Sequence, residues 1–296
     1  MFRNARLYRF TGPWPESEEA VGEALSAAGF QPCGPFTEQT LGFEAPALEL
    51  ADALSRRVGG AELLQLRCQS RLLPAAAINE ALEPRIEEFR ERMGQPPTNV
   101  ERRRLKQETR DNLLPKALLR SERTRGCLLI SEQVLAIDAA TPGKAERFID
   151  AMRAPLGRLE AVPLAYKLPV GALLNRIFLG DSPPGIQLGN ECRMHDPSDK
   201  RASVRWVDME LTDPSIRRHV REGMTLSHLS IEFDNVMSCV IDDSGALSKL
   251  RLVGMDAKDD SVEEDPLARF DAELVLLAGT IRNFVTTLAR NLGGLE

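Results

Sequence analysis

Cysteine is scarce in this 296-residue chain. Its five, Cys33, Cys68, Cys127, Cys192 and Cys239, are scattered, odd in number and without a CxxC pair. That spacing excludes a disulfide framework and a closed zinc site and leaves buried thiols as the expectation. Long apolar runs are missing too. The opening MFRNARLYRF has no signal-peptide core, and later runs such as LVLLAG at 274–279 fall far short of a bilayer, so the reading is a cytoplasmic protein with no membrane partner. The usual catalytic signatures are also absent: no GxxxxGK(S/T) phosphate loop, no GxGxxG after a strand, no HExxH and no GxSxG elbow. Cys192 and His195 form half of a zinc site without its other half, and His219 and His228 read as surface or strand residues. Asp242 and Asp243 sit in a turn, where Asp is expected for backbone reasons. Asp208 and Glu210, read as sharing one strand face, could hold a divalent ion, but a solvent-facing strand edge accounts for them as well. No catalytic residue, metal site or cofactor is expected.

What the chain does have is charge, unevenly placed. Hydrophobic residues at 43% and charged residues at 28% describe a folded soluble protein, with a net charge of −6. Yet over residues 101–126 nine cations stand against four anions, while over 256–265 six acids stand against Lys258 alone. The stretch LLPKALLRSERTRG at 113–126 spaces Lys116, Arg120 and Arg123 as on one face of a helix. Such a face is either solvated or meets phosphates, which need a local basic surface and no base readout.

Pattern divides the chain into three parts of an α+β fold. NARLYRF, AELLQLRC, CLLIS and QVLAID read as strands, the last two as a hairpin, around helices at SEEAVGEALSAAG and TPGKAERFIDAMRAPLG, the latter opened by Thr141 and a first-turn proline. These give a central α/β part, 1–74 and 126–168. Residues 75–125 read as a helical tip: one helix to Gly94, a break at the prolines, and a restart at Thr98 with Glu101 three residues on, a capping-box spacing. Residues 169–296 read as a base of antiparallel strands, SVRWVDMEL, TLSHLSIEFD, NVMSCVIDD and ALSKLRLVG, followed by a long helix. Its Leu274, Leu277, Ile281, Phe284 and Leu288 repeat at threes and fours toward a stop at Gly293.

These landmarks, in order, carry a resemblance: NARLYRF; PCG at 32–34 with Gly42, Phe43 and Pro46; RLLP; LLPKAL; KAERFIDAMRAPLG; QLGNECRMHDP; LSKLRL; and ARFDAELVLLAG. The chain resembles the recombination-associated RdgC family along essentially its whole length. The resemblance implies a ring-shaped homodimer that encircles double-stranded DNA without sequence preference, on the nucleoid, and restrains RecA filaments; single strands are left open as a second ligand. It implies that tips of two subunits meet through Leu114, Pro115 and Leu118 as a dimer gate. Phosphates would be met by Arg67, Arg71, Lys116, Arg120, Arg123, Arg205 and Arg217. Where relatives carry lysines, this chain has Val207, Asp208, Met209, Met224 and His228, with Arg205 the cation retained and Arg217, Arg218 and Arg221 available nearby. Those departures define the alternative, a ring-forming relative that has exchanged DNA for a protein partner, and a lesser one, a metal-dependent nuclease using Asp208 and Glu210.

Overall fold

The computed structural model describes residues 2–50, 53–157, 159–199, 201–253 and 265–296. Most of the acidic stretch at 256–265 lies outside the described residues. Two compact units emerge: Met1–Ala27, Ala45–Gln65 and Thr124–Glu296 form the first, Ala28–Glu44 and Leu66–Arg123 the second.

In chain order the elements are β1 (Arg6–Thr11), α1 (Glu18–Ser26), β2 (Gln39–Glu44), β3 (Ser55–Val58), β4 (Ala61–Leu72), α2 (Ala75–Met93), α3 (Asn99–Leu113), β5 (Leu118–Leu129), β6 (Val134–Ile137), α4 (Pro142–Leu156) and β7 (Glu160–Pro163). Then follow α5 (Val170–Leu179), β8 (Ile186–His195), β9 (Ser203–Trp206), α6 (Pro214–Arg221), β10 (Thr225–Phe233), β11 (Met237–Asp242), β12 (Leu247–Leu252) and α7 (Pro266–Asn291). A seven-stranded sheet runs β2-β4-β5-β6-β1-β7 with β3 on β4, and a five-stranded sheet runs β12-β11-β10-β8-β9. The fold is α+β, with antiparallel pairing at β1–β6, β1–β7, β3–β4, β5–β6 and through the five-stranded sheet.

The first unit is built on α7. Its stripe of Leu274, Leu277, Ile281, Phe284 and Leu288 is buried in one cluster with Leu63, Leu129 and Val134 of the larger sheet and Leu229, Ile231 and Met194 of the smaller. The stripe is therefore core, as helix stripes are by default. By length and composition alone this 26-residue helix would suffice to cross a membrane, which a reading of short apolar runs did not register. Asp265 caps it, accepting from the Leu267 amide at 3.0 Å. Opposite, α4 buries Phe148, Ile149 and Met152. Pro142 starts that helix, but Thr141 supplies no side-chain cap bond.

Several segments depart from expectation. Residues 118–125 are the first part of β5, so Lys116 sits in a 3₁₀ turn and Arg120 and Arg123, three apart on a strand, point to opposite faces. The basic face of a helix proposed for Lys116, Arg120 and Arg123 does not exist. β8 carried no assigned strand, and α5 and α6 no assigned helices. The strand at SVRWVDMEL ends at Trp206, because Asp208 takes a positive φ of 54°. Asp208 and Glu210 therefore share no strand face. Four cysteines are buried as expected, while Cys68 is half-buried.

Candidate nucleic-acid interface

In the second unit α2 and α3 form a hairpin of helices. The capping box forms as its spacing requires: the Glu101 amide donates to Thr98 Oγ1 at 3.4 Å and the Thr98 amide to Glu101 Oε2 at 2.8 Å. The Thr98 hydroxyl, which donates to Glu101 Oε2 at 2.7 Å, and the Thr98 amide together hold the Glu101 carboxyl below the usual carboxylate range. α3 then carries Arg102, Arg103 and Lys106 into solvent.

The cations named from sequence divide into two kinds. Arg67 is spent inside its unit: Nε and Nη2 donate to Ser121 Oγ at 3.2 and 3.0 Å, Nη1 to Glu44 Oε2 at 3.2 Å, and the guanidinium lies 4.4 Å from the Phe30 ring centre. Arg71 is spent more fully, on the carbonyls of Gly34 (2.9 and 3.3 Å), Pro115 (3.3 Å) and Ala117 (3.1 Å). Arg123 donates to Glu44 Oε1 at 2.5 Å. Arg110 is likewise paired, with Glu38 at 2.5 Å. By contrast Lys116 and Arg120 are exposed and have no acidic partner among the described residues, and the same holds for Arg102, Arg103 and Lys106. The sequence count of local charge included those last three without naming them as contacts. A side chain already bonded to protein carbonyls or carboxylates must break those bonds to reach a phosphate, whereas a solvated one need not. The free set is therefore Arg102, Arg103, Lys106, Lys116 and Arg120.

Of the gate residues, Leu114 is 5% exposed and packs inside its own unit, so it offers no surface to a second subunit. Pro115 is exposed, and Leu118 is 76% exposed with Leu119 beside it at 46%.

In the first unit the expected contacts are weaker. Arg205 pairs with Glu191 Oε1 at 2.5 Å, and Lys249 bonds the other oxygen of the same carboxylate. Burial alone would raise the Glu191 pKa, but these two cations together bring it below the ordinary value. Arg217 on α6 has its Nε buried without a hydrogen bond. Arg218 pairs with Glu222 at 3.4 Å, and Arg221 is exposed. No group of three His, Cys, Asp or Glu side chains that could hold a metal ion occurs among the described residues.

A family model described as "RdgC: Putative exonuclease, RdgC" matches residues 1–295. Proteins named recombination-associated protein RdgC align end to end with the chain. The one from Shewanella denitrificans is 28% identical over 298 residues, covering 100% of this chain and 98% of that protein. The one from Tolumonas auensis is 28% identical over 296 residues, covering 99% and 98%. The one from Cupriavidus pinatubonensis is 31% identical over 299 residues, covering 99% and 98%.

Proposed function

The chain belongs to the RdgC family, and on that premise we propose that it is a recombination-associated, non-sequence-specific binder of double-stranded DNA. It acts as a homodimeric ring around the duplex, on the nucleoid in the cytoplasm, and limits RecA filaments. The observation that carries the reading is the set of five exposed cations without acidic partners among the described residues, three on α3, Lys116 in the 3₁₀ turn that follows it and Arg120 on β5. Lys and Arg in that state meet phosphates by releasing condensed counterions, which gives affinity without sequence information. Pro115 and Leu118 are the exposed apolar groups beside Lys116 and Arg120, and they serve as the gate between two subunits. The protein binds and does not cut: incubation of closed circular duplex with magnesium or manganese leaves it intact, and nicking would overturn this part of the reading.

The test is fluorescence anisotropy of a labelled duplex of random sequence over a series of salt concentrations. Micromolar or tighter binding that falls steeply with salt is expected. No binding even at low salt would refute the DNA reading and leave a ring-forming relative that serves as a protein-interaction module.

A further inference from the structure

The five-stranded sheet buries one face against α5 and α7 and leaves the other open. Leu229, Ile231 and Phe233 of β10 point into the core, while Ser230 and Glu232 between them point outward. Over that outer face lies a trough of about 1360 Å³, walled by the Val207–Thr212 segment on the β9 side and by Phe2 and Arg3 beyond β12.

The backbone around this trough is irregular in a localised way. Among the described residues five non-glycines have positive φ; Gln133, Asp234 and Asn235 are hairpin-turn residues, and the other two, Asp208 at 54° and Lys249 at 52°, both line the trough. Strain of this kind persists only where the surroundings impose it, and it concentrates at binding sites. Register shifts interrupt the β8–β10 pairing twice and the β11–β12 pairing once. Bulges re-aim side chains, and here they turn Asn190, Glu191 and Lys249 into the trough. Gly189 permits the β8 distortion, since a Cβ there would stand 2.4 Å from Ser230 Oγ and 3.0 Å from the Ser230 carbonyl carbon.

The charges are segregated. Lys249 is spent on Glu191. What remains unspent is acidic toward β9 and in the middle, basic toward β12. Asp208 accepts only from Asn190 (2.9 Å) and Glu210 only from Thr212 (2.8 Å), and Glu232 has no partner among the described residues. Arg3 and Arg251 stand at the other side with unpaired side chains among the described residues. Neighbouring strands lie about 4.8 Å apart, so the four spacings from β9 to β12 separate the two sides by about 19 Å, the length of about six extended residues. Val207 and Met209 are half-exposed on the acidic wall.

We propose that this trough binds an extended polypeptide segment of a protein partner, a basic end facing Asp208, Glu210 and Glu232, an apolar side chain on Val207 and Met209, and an acidic end facing Arg3 and Arg251. A duplex is uniformly anionic and would set phosphates against three unspent carboxylates, whereas a polypeptide carries both signs at the required spacing. Methionine suits such a surface because it repacks against varied partners.

The probe is a fluorescein-labelled heptapeptide with two lysines and a valine at one end and two glutamates at the other, titrated into the full-length protein. Three exposed ion pairs correspond to about tenfold in affinity. Asp208→Lys with Glu210→Lys and Glu232→Lys should therefore weaken peptide binding about tenfold, while an equal charge reversal on α2 (Glu80→Lys, Glu83→Lys, Glu88→Lys) leaves it unchanged. Glu232→Lys alone, at an exposed and unpartnered position, gives a smaller loss in the same direction even if the triple variant folds poorly. Equal losses in the trough and α2 variants, or none in either, overturn the proposal. A trough variant that loses duplex binding instead would assign the trough to DNA, and one that sediments as a monomer beside a dimeric parent would assign it to a second copy of this chain; both outcomes overturn it.

Discussion

Arg71 and Lys116 were grouped from sequence as equivalent phosphate contacts, and the structure makes them opposites. Arg71 fastens Gly34 to the turn at Pro115 and Ala117 through four hydrogen bonds between 2.9 and 3.3 Å. Bonds from a charged donor contribute about 1.5 kcal/mol each, and partial exposure discounts them, so Arg71→Ala should cost about 3 kcal/mol of stability. Lys116 and Arg120 hold nothing, and reversing both to Glu should move stability by less than about 0.5 kcal/mol. Their effect falls on DNA. Each lost phosphate contact lowers the slope of log affinity against log salt by about 0.9, so the double variant should flatten that slope by about 1.8 per protomer. Urea unfolding and salt-series anisotropy on the same preparations separate the two quantities. An Arg71→Ala protein of unchanged stability with a flattened slope, or a Lys116→Glu/Arg120→Glu protein with an unchanged slope, would refute the division into spent and free cations.

Two further outcomes test the fold that presents these groups. Glu62 is fully buried, and burial raises its pKa even though Trp14 (2.7 Å) and Arg57 (2.6 Å) donate to Oε2, with Oε1 left unbonded. Its folded pKa thus lies above the unfolded value of about 4.3, so the folded state binds the proton more tightly and this group's contribution is largest below that pH and declines as pH rises toward the folded pKa. Urea melts of Glu62→Gln against the parent should show the parent losing ground over that window; a difference independent of pH would show the group is not shifted. Gly42→Ala should destabilise by about 3 kcal/mol, since a Cβ would stand 2.5 Å from Phe30 Cα and 2.8 Å from the Gly29 carbonyl carbon; a loss under about 1 kcal/mol would mean that this backbone contact is loose.

Local chemistry was legible in the sequence. The capping box at Thr98 and Glu101, the β5–β6 hairpin, the Asp234–Asn235 turn and the α7 stripe each rest on residues a few positions apart, and each formed. β8 escaped because Gly189, Asn190 and Glu191 interrupt its alternation of Ile186, Leu188, Cys192 and Met194, at the point where the pairing with β10 shifts register. The start of β5 escaped because its residues from Leu118 to Arg123 are all exposed, which removes the period-2 signal, while the cation spacing imitated a helix. The candidate site was harder for the same reason. Sequence counts cations but does not say which are spent: Arg123 is neutralised by Glu44, 79 residues away, and Arg110 by Glu38, 72 residues away.

The same distinction shapes the functional reading. Partners contributed by the fold remove Arg67, Arg71, Arg123 and Arg205 from the phosphate-binding set, while Lys116, Arg120 and the α3 residues Arg102, Arg103 and Lys106 keep no acidic partner among the described residues. On the open sheet face the fold leaves acids unspent at Glu210, Glu232 and Asp208, the last a position where the resemblance implied a cation. The two proposals thus rest on separate surfaces of opposite charge. Duplex binding and peptide binding should therefore respond to different substitutions, and losing one should leave the other in place.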